Sequence, residues 1–140
     1  MVGIVVAAHG KMAEALVAAA EQIVGKLEQL KVVNLLPHEG MECGRGKIVD
    51  AITEVDDGSG VVVLADIFGG TPSNCCLSLL NAGKLEVVTG VNLPMLLRLA
   101  SSRREGHNAK QVAENLVEYG RQNITNASEL LRSRCQVARG

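Results

Sequence analysis

The sequence predicts a doubly wound α/β domain, with a mainly parallel four-stranded sheet and helices on both faces. Three observations carry this. Val2 to Ala8, Val32 to Leu36, Val61 to Ala65 and Leu85 to Thr89 are short apolar runs rich in β-branched residues, the pattern of strands buried on both sides and hence of a parallel sheet. The stretches between them carry apolar residues at helical spacing. Capping and turn residues stand where strand and helix patterns exchange, and strand–helix alternation of this kind builds a wound parallel sheet.

After the first run, Met12, Ala13, Leu16, Val17, Ala20, Ile23 and Val24 define a helical stripe, and Gly25 supplies its stop. Ile48, Val49, Ile52 and Val55 mark a second helix whose start Gly44 and Gly46 obscure, because glycine is a poor helix former. Asp57, Gly58, Ser59 and Gly60 make the turn into the third strand. A third helix is expected from Thr71 as N-cap and Pro72 as first helical residue, through Leu80, to a stop near Gly83. Asn92 can cap a helix carrying Met95, Leu96 and Leu99; Asn108 with Gln111 then forms a capping-box start for Val112, Ala113, Leu116 and Val117. Ile124 to Leu131 reads either as a short antiparallel edge strand or as a helix, and the basic end from Arg132 as a frayed tail.

With 140 residues, 47% of them hydrophobic and 21% charged, the chain is one domain able to bury a core. A net charge of −1 and a single Phe and a single Tyr leave neither a phosphate-backbone footprint nor a stacking platform, so nucleic acid is excluded as a partner. The apolar N-terminal run is too short for a membrane span and lacks the flanks of a signal peptide. A cytoplasmic protein is expected. Cys43, Cys75, Cys76 and Cys135 form no C-x-x-C pair and read as reduced, mostly buried thiols, with a metal site as the alternative.

Ligand chemistry in open α/β sheets collects beyond the carboxyl ends of the strands. His9 follows the first strand directly, ahead of a helix whose free N–H groups suit an anion. Asp66 ends the third strand, and Phe68, Gly69, Gly70, Thr71 and Pro72 lead into the expected third helix, where two glycines permit a nest of N–H groups. Singly, each has a bland explanation as loop residue, turn former or helix start. Together they offer an imidazole, a carboxylate to fix its tautomer, and a phosphate cradle. There is no P-loop, no G-x-G-x-x-G after the first strand and no H-E-x-x-H, so neither an ATP nor a dinucleotide site is expected, nor any cofactor or metal. His38 and His107 read as solvated loop residues.

Three segments carry a family resemblance: H-G at 9–10, D-I-F-G-G-T-P-S-N at 66–74 and G-V-N-L-P-M at 90–95. In this order and spacing the chain resembles the IIA component of the mannose family (mannose/fructose/sorbose type) of the phosphoenolpyruvate-dependent sugar phosphotransferase system. The resemblance covers roughly Val2 to Leu131, which gives a IIA-type domain at 1–131 and leaves 132–140 as the tail. It implies a phosphotransferase that takes a phosphoryl group from phospho-HPr and passes it, from histidine to histidine, to a separate IIB component. By that likeness His9 is phosphorylated on Nε2, Asp66 holds Nδ1, and Gly10, Gly69, Gly70 and Thr71 bind the phosphoryl group, with Phe68, Asn92, Pro94 and Met95 docking the partners. It also implies a homodimer that exchanges a short antiparallel strand, which suits Ile124 to Leu131, and a membrane link only through a permease complex. No IIB domain follows in this chain, and sugar choice belongs to other components. Two alternatives share the chemistry or fold: a regulatory phosphoprotein that senses flux without transport, and the phosphodonor subunit of dihydroxyacetone kinase, against which the intact F-G-G-T-P-S-N run speaks.

Overall fold

Four strands, β1 (Gly3–His9), β2 (Leu30–Leu35), β3 (Val61–Ala65) and β4 (Leu85–Thr89), pair in parallel in the order β2-β1-β3-β4. The computed structural model describes residues 1–67, 84–104 and 106–139, and side chains as far as Cys135. The expected third helix, with its Thr71 cap and with Cys75 and Cys76, lies outside the described residues. Helices α1 (Met12–Val24), α2 (Met41–Val55), α3 (Leu93–Leu97), α4 (Leu99–Ser102), α5 (Ala109–Gln122) and α6 (Ala127–Arg139) complete the described elements.

The connection from β1 to β2 moves one way across the sheet, and that from β2 to β3 passes back over β1. Since such crossovers are right-handed, α1 and α2 fall on opposite faces. Strand alternation then sorts the core. Ile4, Val6, Ala8, Val62 and Leu64 pack with Ala13, Val17, Ala20, Leu96, Val112 and Leu116 of α1, α3 and α5. Val5, Ala7, Val61 and Val63 face Ile48, Ala51 and Val55 of α2. Both faces of β1 and β3 are fully covered, which is why these strands read as unbroken apolar runs.

Helix starts follow the expected chemistry where a side chain can cap. Asn92 accepts the Met95 N–H at 3.1 Å, and Asn108 and Gln111 form a reciprocal capping box. The second helix begins earlier than its apolar stripe, at Met41, and runs through Gly44 and Gly46. At Gly44 a Cβ would stand 2.9 Å from Leu35 Cδ2, so the missing side chain lets α2 lie against β2. That contact offsets a helix-propensity cost of roughly 1 kcal/mol per glycine.

The C-terminal segment takes the helical alternative. Asn126 accepts the N–H groups of Ser128 and Glu129, and Glu129 pairs with Arg132 one turn on. Ile124 to Leu131 therefore holds no antiparallel strand, and the helix runs on through Arg139 where a frayed tail was expected. The cysteines differ too: Cys43 and Cys135 are free and exposed, Cys43 on the outer side of α2 and Cys135 on a helix whose described side chains all lie in water.

Gly3 is a second close approach, where an added Cβ would meet Val55 Cγ2 at 2.7 Å and the Val55 carbonyl besides. Gly3→Ala should therefore cost about 1 to 3 kcal/mol by overpacking. Urea titration checks this: a midpoint equal to that of the parent chain would show that α2 shifts without strain.

Candidate functional site

The parallel arrangement puts every strand's carboxyl end at one edge of the sheet, and the winding direction reverses about β1. The crevice between β1 and β3 is thus the switch point where open α/β sheets bind ligands. His9 is the last residue of β1, in register with Leu35 of β2, and Asp66 follows the last residue of β3. Gly10 then turns the chain at φ +61°, a left-handed conformation that favours glycine, and its N–H donates to the Leu35 carbonyl at 2.8 Å. Lys11 precedes the first turn of α1.

Asp66 is held from several sides. Its Oδ2 accepts the His9 ring Nδ1–H at 2.7 Å and the His9 backbone N–H at 3.1 Å, while Oδ1 accepts the Ile67 N–H at 2.9 Å. Its own carbonyl accepts from Gly90, which ties the end of β4 into the site. The carboxylate is 9% exposed and the imidazole 50%. Burial alone would raise the Asp66 carboxyl; the His9 ring, the His9 N–H and the Ile67 N–H outweigh it, and the group titrates below its ordinary value. An ionised carboxylate only accepts, so Nδ1 must carry a proton, and in the neutral ring the lone pair falls on Nε2. The geometry yields a nucleophilic nitrogen on a fixed, half-exposed ring.

Beside His9 lies a cleft of about 360 Å³, walled by Leu35, Leu36, Pro37, Gly40 and Met41. Glu39 also faces it. The Cys43 thiol donates to one Glu39 oxygen at 2.9 Å and Lys47 pairs with the other at 2.6 Å, which together pull the Glu39 carboxyl down to about 2. Glu39 in turn raises the Cys43 thiol, so this exposed cysteine is no ready thiolate. Lys47 also donates to the Asn34 carbonyl at 3.0 Å and so fastens α2 to β2. Sequence reading missed this latch, whose spacing shows only once α2 is known to begin at Met41.

Of the residues read from sequence, the structure brings together His9, Gly10 and Asp66. Phe68, Gly69, Gly70 and Thr71 lie outside the described residues. Asn92 is engaged as a cap and donates to the Gly120 carbonyl at 3.3 Å, and half-buried Pro94 sits in the first turn of α3. Met95 is 5% exposed and packs in the core beside Gly120, so it offers no docking surface; the apolar spacing that makes α3 also buries it. His38 is exposed in the turn before α2, and His107 bonds the Ser102 carbonyl at 2.8 Å, on a different element from the site. Among the described residues no cluster of His, Cys, Asp or Glu could hold a metal, and no helix is long and apolar enough to cross a membrane.

The site is a carboxylate-oriented imidazole at the switch point of a wound parallel sheet. The family model for the PTS system fructose IIA component matches residues 3–117. The PTS system fructose-specific EIIA component of Bacillus subtilis (strain 168) is 31% identical over 132 residues, 94% of this chain and 90% of that one. The mannose-specific EIIAB component of Escherichia coli (strain K12) is 30% identical over 124 residues; the match takes in 88% of this chain but only 38% of that relative's length. The crystal structure of the PTS IIA protein associated with the fucose utilization operon of Streptococcus pneumoniae superposes with a TM-score of 0.79 at 31% identity, covering 92% and 95% of the two chains. This chain belongs to the mannose-type IIA family of the sugar phosphotransferase system.

The lowered Asp66 carboxyl has a stability consequence. Its folded pKa lies below the ordinary 3.8, so the ionised carboxylate stabilises the fold above that value. The contribution is lost as pH falls through the lowered folded pKa. Asp66→Asn should narrow the difference from the parent chain as pH drops below about 3.8. Urea midpoints at neutral and acid pH test this; a gap that stays constant would show that the carboxylate's charge contributes nothing.

Proposed function

We propose that this chain is a cytoplasmic phosphohistidine carrier of the sugar phosphotransferase system, accepting a phosphoryl group from phospho-HPr on His9 and passing it to a separate IIB component. The single observation that carries the reading is the 2.7 Å bond from His9 Nδ1 to a nearly buried carboxylate. Transfer runs in line: the Nε2–phosphorus bond forms as the donor's nitrogen–phosphorus bond breaks, and the donor histidine leaves with the electron pair. Nε2 loses its lone pair in the process, and positive charge grows on the ring. Asp66 is already ionised against Nδ1–H and stabilises that charge with no reorganisation. Gly10 leads into the free N–H groups of the first turn of α1, which suit the phosphoryl oxygens; Gly69, Gly70 and Thr71 are assigned the rest of that role from the sequence. The reading includes a homodimer, for which Ile124, Leu130 and Leu131 offer exposed apolar surface.

The test is incubation with phosphoenolpyruvate, enzyme I, HPr and candidate IIB proteins while following the phosphoryl label. His9→Ala should take no label, whereas His38→Ala and His107→Ala should label as the parent does. Asp66→Asn should fold and label more slowly. Full labelling of His9→Ala would sink the mechanism, and an unchanged rate in Asp66→Asn would make the carboxylate merely structural.

A further inference from the structure

We propose that the C-terminal helix α6 is a strap that folds back, within the same chain, into the groove between β4 and α5. Every described side chain from Arg121 to Cys135 is exposed, so the described part of α6 has no face covered. Yet it carries a face suited to burial. Ala127, Leu130, Leu131, Arg134 and Cys135 recur at i, i+3, i+4, i+7 and i+8, one stripe of a helix, with Leu130 49% and Leu131 58% exposed. The stripe is apolar except for Arg134. Glu129 and Arg132 pair on the opposite side of the helix and stay in water whether the stripe is covered or not.

Two clefts of about 460 and 390 Å³ share Val87, Val88, Val117 and Arg121, and so form one trough beside α5, reaching from Ala113 to Ile124 just past the end of that helix. Val88, Ala113 and Val117 make it apolar, while Glu86, Glu114 and Glu118 against Arg121 make its lining acidic. An apolar stripe with one arginine is the complement of that surface. The connection supplies the register. Residues 123–126 join α5 to α6, a length usual for the turn of an antiparallel helix pair. Since both helices rise equally per residue, Gln122 opposite Ala127 puts Glu118 level with Leu131 and Glu114 level with Cys135. Arg134 then lies between two carboxylates. Ion pairs at an exposed rim contribute little singly, so the apolar stripe supplies the attraction and the arginine sets which groove it fits. Docking withdraws Leu130 and Leu131, the side chains assigned above to self-association. On the homodimer reading, which this consequence rests on, the docked strap and the dimer therefore compete.

Amide hydrogen exchange on the full chain tests this with Arg134→Glu, Glu118→Arg and the double variant that swaps the two charges. Both positions are exposed, so the core is untouched. Amides of α6 should exchange about tenfold more slowly in the parent than in either single variant, roughly 1.4 kcal/mol of protection, and the double variant should recover the parent's rate. That protection should be the same in dilute and concentrated samples, and the single variants should sediment as more associated than the parent. Equal exchange in parent and variants would overturn the strap. So would a loss that the double variant fails to restore, which would trace the effect to helix propensity, and so would protection that grows with protein concentration, which would put a second copy's helix in the groove. Monomers throughout, with the exchange pattern kept, would sink the homodimer and leave the strap standing.

Discussion

Asp66 stands at the end of β3 nearly out of water, with its charge held by one imidazole and two backbone N–H groups. A carboxylate in that position is costly unless its lone pairs are filled, and hydrogen bonds to a charged acceptor contribute about 1.5 to 3 kcal/mol each. The fold supplies the donors through its topology. Parallel pairing sets β1 and β3 side by side with the last residue of β3 opposite Ala7, and burial on both faces fixes the register at which the His9 N–H reaches Oδ2. The bond that orients the His9 ring is therefore also a bond that lets Asp66 be buried. The same contact serves stability and chemistry.

The latch on the other flank follows a different logic. Glu39, Lys47 and Cys43 hold the β2–α2 loop where it walls the cleft beside His9, yet nothing in their arrangement suits them to attack or to receive a phosphoryl group. The Lys47 bond to the Asn34 carbonyl and the close approach of Gly44 to Leu35 settle α2 against the strand whose last residue lies opposite His9. Rigidity at the site is thus drawn from both neighbours of β1: from β3 through Asp66, and from β2 through Leu35 and the Gly10 N–H. The ring stays half-exposed while its backbone is fixed on both sides, the arrangement that the proposed carrier role needs.

Much of this was legible in the residues because the signals were local or periodic. Strands covered on both faces show as unbroken apolar runs, and chemistry at a switch point follows from where those runs end, so His9 and Asp66 stood out before any coordinates. Glycine misled where its cost is local and its benefit tertiary: nothing near Gly44 in the sequence announces Leu35. Met95 misled in the opposite sense. Its motif suggested a surface role, but Gly120, twenty-five positions on, leaves the space that buries it. The C-terminal segment was ambiguous because Ile124 to Leu131 fits either period, and the Asn126 cap decides for helix.

Met12 was placed in the core for a related reason. An apolar residue at the first position of a helix normally counts toward the buried stripe, and Met12 was read that way beside Ala13, Leu16 and Val17. Burial tells them apart: Ala13 and Val17 enter the core, while Met12 lies one position off that face and remains in water. Keeping such side chains exposed costs the fold a part of what their burial would contribute, some fraction of about 1.5 to 3 kcal/mol each. Single exposed apolar residues are ordinary on protein surfaces. Met12 and Met41 open helices whose other faces, through Ala13, Val17, Ile48 and Ala51, already enter the core. What the tip of such a helix does is then independent of what holds the fold together, and the sheet edge that presents His9 stays fixed.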